Sequence, residues 1–201
     1  MNYSKEINGH ILEYYDDDHL YLVDGIRLPS VTQLVNAKFG DSYQGVPRSV
    51  LDNAAEQGTL VHKAIEEYCT EGKETPILEL RNFKFLQRQY GFEVLENEVP
   101  VILFENGKPV ATGRLDMVLK MYDQIGGADI KRMASLSGVH KEKVTTQLNL
   151  YRIAYRQSYG AEWRFLKAIQ LKDDKRRFLE IPINERCAWD AVKSYKEQNN
   201  G

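Results

Sequence analysis

In the stretch GGADIKRMA (residues 126–134), Asp129 and Lys131 flank one isoleucine directly after a glycine pair. In an extended strand, side chains at i and i+2 share a face, so acid and base point together while Ile130 enters the opposite layer. Alone, this is also the pattern of a salt-bridged sheet edge. Asp116, in TGRLDMVL, precedes Asp129 with 12 residues between them. If their strands are hairpin neighbours, two carboxylates meet at one end of a sheet, where like charge is costly unless a cation separates them. Oxygen ligands of this kind suit Mg²⁺ or Mn²⁺, which keep several waters and act mostly on phosphates.

Two helical patterns offer partners for these groups. In GTLVHKAIEEY, His62 and Glu66 lie four apart and share a helix face. The imidazole could complete the ligand set, with Glu66 holding a water, although such a pair is also a common surface contact. In QLNLY, Gln147 and Tyr151 repeat the four-residue spacing, and a packed helix face accounts for Tyr151 equally well.

The elements that must position these groups follow from periodicity. HILEYYDDDHLYLVDGIRLP alternates apolar and polar residues around an acidic turn and again around Asp24-Gly25, a small antiparallel sheet or hairpin. Ser30 caps a short helix. Helical spacing runs from Pro47 to about Thr70, with a break or close approach expected at Gly58, and again from Ile77 to Tyr90 before Gly91. FEVLENEVPVILFE, PVATGRLDMVLKMY and GGADIKRMA read as three strands with turns at Asn106-Gly107 and near Gln124. KVTTQLNLYRIAYRQSYG is an amphipathic helix. WRFLKAIQLK and RRFLEIPI form a strand pair around DDKR, and a last helix follows Asn184 as its cap. The order predicts an α/β fold, a central mixed sheet flanked by helices. It is one domain over 1–201, with an N-terminal hairpin extension over 1–35 and a helical lead-in and core over 47–201.

Composition narrows the class. A 42% hydrophobic and 28% charged content is ordinary for a globular chain, and no apolar run reaches the roughly 18 residues a membrane helix needs. The opening MNYSKEINGHILEYYDDD has no apolar h-region, which points to the cytosol. Two cysteines, Cys69 and Cys187, cannot supply a four-thiolate zinc or iron–sulfur site. The net charge of −2 hides an asymmetry: residues 1–100 hold 9 Lys/Arg against 17 Asp/Glu, and 101–201 hold 18 against 12. A basic surface in the second half suits a polyanion; the same clusters also serve as solvated faces.

GTLVHKAIEEY, GRLDMVL, ADIK and QLNLYRIAYRQSYG stand in the order of the RecB-type nuclease signature and cover roughly residues 58–160. The chain therefore resembles the RecB-type nucleases of the PD-(D/E)XK superfamily. GIRLPSVTQLV is similar to the amino-terminal part of their phage and bacterial exonuclease members. The resemblance implies a restriction-endonuclease-like core and a Mg²⁺- or Mn²⁺-dependent deoxyribonuclease with one or two ions and no iron–sulfur cluster. Its expected activity is that of an exonuclease in DNA recombination, repair or phage replication. An endonuclease or junction resolvase, or a catalytically silent nucleic-acid-binding module, are the alternatives on the same core.

Carried over, His62, Asp116, Asp129 and the main-chain carbonyl of Ile130 match metal ligands, and Lys131 matches the catalytic lysine. Gln147 and Tyr151 match the motif that orders the site and the nucleic-acid backbone. Glu98 in NEVPV matches a common acidic position, with a strand-edge structural role equally in play. Arg132, Arg152 and Arg156, with Lys172, Arg176 and Arg177, are expected to track phosphates. The implied partner is DNA, as a single strand or a duplex end, with a recombination or annealing protein and an oligomeric state as further expectations. No membrane is involved, and a phage-encoded copy would act in the bacterial host cytosol. Leu115 replaces the superfamily's proline, Asp129 the commoner glutamate, and Ile130 and Arg132 the usual flanks of the lysine.

Overall fold

Side-chain alternation and turn chemistry account for most of the architecture. The computed structural model describes residues 3–15, 20–40 and 45–199. Strands β1 (Tyr3–Ile7), β2 (His10–Tyr15), β3 (Leu20–Val23) and β4 (Ile26–Arg27) form an antiparallel sheet in chain order, larger than a hairpin. Asp24 and Gly25 both adopt positive φ in the β3–β4 turn, as the sequence predicts. The acidic turn at 16–18 lies outside the described residues. Ser30 caps α1 (Val31–Phe39) in a reciprocal capping box with Gln33.

Helix α2 (Arg48–Glu71) runs 24 residues without the break expected at Gly58, whose absent Cβ would meet nothing within 4 Å. Neither strain nor a packed neighbour demands glycine there, and the helix passes through it. Helix α3 (Leu78–Tyr90) ends at Gly91. A second sheet, in the order β5 (Glu93–Glu105), β6 (Lys108–Met121), β7 (Gln124–Lys131), β8 (Phe165–Lys172), β9 (Lys175–Ile181), is antiparallel except between β7 and β8. Helix α4 (Gly138–Tyr159) is the crossover between that parallel pair and begins five residues before the predicted Lys143. Helix α5 (Glu185–Asn199) follows Asn184, whose main-chain N–H is bonded to Asn149 Oδ1 at 2.7 Å.

The five-stranded sheet is covered on both faces, giving a mixed α/β domain. Val99, Val101, Leu103, Leu115 and Ala168 pack with α1, α4 and α5. Met117, Leu119, Ala128 and Ile130 pack with Val61, Ile65 and Phe83 of α2 and α3. Ile130 thus enters the layer opposite Asp129 and Lys131, as alternation requires. Ile102 and Phe104 of β5 anchor the N-terminal sheet through Ile7, Leu12 and Val23. Among the described residues no helix is long and apolar enough to cross a membrane.

Candidate metal centre

The alternation of β5 and β6 slips by one residue where two acids face each other. Strict alternation would put Leu115 and Val118 on opposite faces, yet both join the α4-side core, while Met117 joins the other. The same slip occurs on β5, where Val99 joins the α4-side core and Glu96 accepts a hydrogen bond from Tyr155 of α4. Between them Glu98 takes φ +49, an unusual conformation for a glutamate inside a strand. The flanking register, Asn97 with Met117 and Val99 with Leu115, places Glu98 across from Asp116. The irregularity turns both carboxylates out of the layers and into one cleft of about 730 Å³.

At the neighbouring strand the ladder opens. Pairing of β6 with β7 reaches from Met121 with Gln124 to Met117 with Ala128. Beyond it the Ile130 N–H donates to Asp116 Oδ2 at 2.6 Å, and the Ile130 carbonyl lies 3.1 Å from His62 Nε2. His62 Nδ1 stands 3.5 Å from Asp116 Oδ1. The imidazole is therefore flanked by two acceptors. A neutral ring donates from one nitrogen only, so lone pair faces lone pair on the other side unless a proton or a metal cation lies between.

One ligand atom from each of His62, Glu98 and Asp116 can be chosen so that all lie within 4.8 Å of one another. An imidazole, two carboxylates and an adjacent main-chain carbonyl form an N/O donor set that fits a hard divalent cation such as Mn²⁺ or Mg²⁺. Burial first, then the Asp116 charge, raises the Glu98 carboxyl to about 7, with Arg114 and His62 opposing. Two acids this close disfavour a second negative charge, which a cation relieves.

Asp129 and Lys131 sit beside this triad on the same cleft wall. Asp129 is only 2% exposed, and Lys131 Nζ lies 2.9 Å from its Oδ1 and 2.8 Å from its Oδ2. The bond to Oδ1 is well aligned; Oδ2 has no aligned hydrogen bond despite the short distance. Burial raises the Asp129 carboxyl to about 6, opposed by Lys131 and reinforced by Asp116. Asp129, expected among the ligands, holds the lysine here, and Glu98 joins His62 and Asp116 in the triad.

Tyr151 sets the frame. Its hydroxyl donates to the Arg114 carbonyl at 3.0 Å, and Gln147 hydrogen-bonds to it. Gly113 makes this crossing feasible, because a Cβ there would come within 3.1 Å of the tyrosine ring. Burial drives the Tyr151 phenol well above its ordinary value, so it orders main chain rather than transferring protons. On α2, Ala55, Gly58, Thr59 and His62 share the face that lines the cleft, leaving space over the acids. Glu66 is half-buried on the same helix but does not line the cleft.

Of the basic residues expected on a phosphate track, Arg132, Arg152, Arg156 and Arg176 have protein partners outside the cleft. Arg152 bonds Glu185 Oε1 at 2.7 Å, the Trp163 carbonyl at 3.2 Å, and Glu162. Arg156 bonds the same two glutamates, at 3.0 and 3.2 Å. Arg132 donates to Glu79 at 3.0 Å and lies 3.6 Å from Asp173. Arg176 stacks on Phe85 and bonds Asn82. None of them, nor Lys172 or Arg177, lines the cleft. Besides Lys131, Arg114 lines the cleft, and it carried no signal in sequence beyond lying two residues before Asp116.

No protein-family model matches the chain, and no curated protein matches it. Among solved structures it is similar to one described as "Crystal structure of SSO0001", at 17% identity. That alignment covers 86% of this chain and 76% of the other, with a TM-score of 0.50. At such identity the likeness is one of fold, a mixed α/β sheet layered with helices.

Proposed function

We propose that the protein is a metal-dependent nuclease that hydrolyses phosphodiester bonds in DNA, on a restriction-endonuclease-like core. The observation that carries this reading is the convergence of His62, Glu98 and Asp116, from three separate elements, beside the Asp129–Lys131 pair in one cleft. His62, Glu98, Asp116 and the Ile130 carbonyl would hold the cation, with Asp129 adjacent. When bound, it would supply positive charge for the scissile phosphate and lower the pKa of a coordinated water.

The chain's own groups carry the rest. Lys131, fixed by Asp129, offers N–H donors to nonbridging phosphate oxygens and offsets charge that builds in the transition state. Asp129, at 2% exposure, keeps that ammonium aimed rather than hydrated. Tyr151 and Gln147 hold the β6 main chain from which Asp116 projects. The Asp116 carboxylate is itself oriented by the Ile130 N–H. The reading expects DNA with an accessible end as substrate and the cytosol as compartment.

Incubation with end-labelled linear and closed circular DNA, with Mn²⁺, Mg²⁺ or chelator, tests it. Linear DNA should be degraded only with metal, and Asp116→Ala or Lys131→Ala should slow cutting by at least about a hundredfold while the protein stays folded by circular dichroism. Cutting of circles would move the assignment to an endonuclease. Undiminished rates in both variants would remove these residues from the site, and intact linear DNA with either metal would remove the nuclease reading.

A further inference from the structure

We infer that Arg114 is a substrate-positioning residue, a receptor for a phosphate oxygen of the strand lying in the cleft, exchanging its contact with Glu98 for it. This rests on the nuclease reading and adds a group that the motif comparison does not assign. Arg114 precedes Asp116 by two residues on β6, and both line the cleft. Its guanidinium lies over the Tyr14 ring at 5.3 Å from the centroid, and its Nε is 2.5 Å from Glu98 Oε2. Even so, the side chain keeps 36% of its exposure.

Its mounting is rigid. The Tyr151 hydroxyl holds its carbonyl, and two residues earlier the Thr112 N–H donates to Pro29 at 3.0 Å. A cation pre-oriented by stacking loses little further freedom when it meets a ligand. Glu98 is the one carboxylate paired with it among the described residues, and a carboxylate occupies at most two of five guanidinium N–H donors. The remainder suits an oxyanion.

Charge decides between a static partner for Glu98 and an exchanging one. In the cleft, Glu98, Asp116 and Asp129 face Arg114 and Lys131, one net negative charge with the acids ionised. A divalent cation turns this into one net positive, which the single charge of a phosphodiester cancels. A carboxylate drawn to the cation also loosens its hold on the guanidinium, which is then available to the phosphate as it arrives. With the acids ionised, the site is neutral when both ligands are present. Arg114 therefore couples strand binding to the filled centre.

The test is binding of a labelled single-stranded oligonucleotide in a Lys131→Ala background with Mn²⁺, across a KCl series, with and without Arg114→Gln or Arg114→Lys. Arg114→Gln should weaken binding about tenfold near 0.1 M salt. It should also reduce the slope of log K against log salt by about 0.7, the loss of one phosphate contact. Arg114→Lys should restore the slope and part of the affinity. Calorimetric Mn²⁺ uptake should survive in both, and with Lys131 intact KM should rise more than kcat falls. An unchanged slope in folded Arg114→Gln, or loss of Mn²⁺ uptake, overturns the inference; the latter would make Arg114 only an organiser of Glu98. Failure of the wild-type protein to degrade the same oligonucleotide with Mn²⁺ would instead strike the nuclease assignment itself.

Discussion

Replacing Glu98 by glutamine should stabilise the metal-free protein above neutral pH while weakening its hold on Mn²⁺. The carboxyl is raised from its ordinary 4.5 to about 7, burial being the largest cause and Asp116 the next. Because the folded value lies above the unfolded one, the folded state binds the extra proton between those limits. The stabilisation is fully present below about 4.5 and is lost as pH rises through about 7. That interval corresponds to about 3 kcal/mol, and the 18% exposure left to the side chain removes part of it. Glutamine keeps the shape without the charge. In chelator at pH 8, Glu98→Gln should therefore melt about 5–10 °C above wild type, taking roughly 2–4 °C per kcal/mol for a domain of this size. At pH 5 the difference should shrink to a degree or two. Adding Mn²⁺ at pH 8 should raise the wild-type melting temperature by more than the variant's. Equal differences at pH 5 and pH 8 would refute the claim that an ionised Glu98 is held against its own preference.

Gly127→Ala should destabilise severely, because its Cβ would fall 2.0 Å from the ring of Trp163, itself 1% exposed. A cost of about 3 kcal/mol or more is expected by denaturant titration, and a midpoint within error of wild type would show that the ring can move. Arg152→Gln should cost about 1–2 kcal/mol, since the arginine is 11% exposed but Arg156 still reaches both Glu162 and Glu185. It should leave the oligonucleotide salt slope unchanged. A reduced slope with no loss of stability would return Arg152 to the phosphate track.

The fold was largely legible because its signals are local. Period-two runs, the Asn106-Gly107 and Asp24-Gly25 turns, and the glycines after α2, α3 and α4 set the elements within a few residues. Convergence of Asp116, Asp129 and Lys131 on one cleft followed from strand parity and hairpin adjacency, and His62, on a helix, was joined to them through the motif resemblance. Glu98 was half-legible: counting back from the Asn106-Gly107 turn sets it across from Asp116, but only with a register shift between Leu103 and Phe104 that no residue type announces. The partners of the arginines were not legible. Arg152 and Arg156 look like a basic helix stripe until chain folding brings up Glu162 and Glu185, and Arg114 acquires meaning only from Glu98 and Tyr14. Gly58 shows the converse, a local breaker overridden by a helix long enough to run through it.

The slip in alternation at Glu98 and Asp116 explains why the site lies where it does. A regular β5–β6 pair would send acids at such positions either into a helix-covered core, where an unpaired carboxylate is prohibitively costly, or onto a polar edge with nothing to gather. Slipping both strands by one residue produces a third direction, sideways into the cleft, at the level where β7 leaves β6. That departure frees the Ile130 N–H and carbonyl from the ladder, and these are the groups that orient Asp116 and meet His62. One distortion thus supplies two carboxylates, a carbonyl and the opening above them. Its conformational cost sits in a single left-handed glutamate, whose strain and buried charge are both of the kind a bound cation offsets.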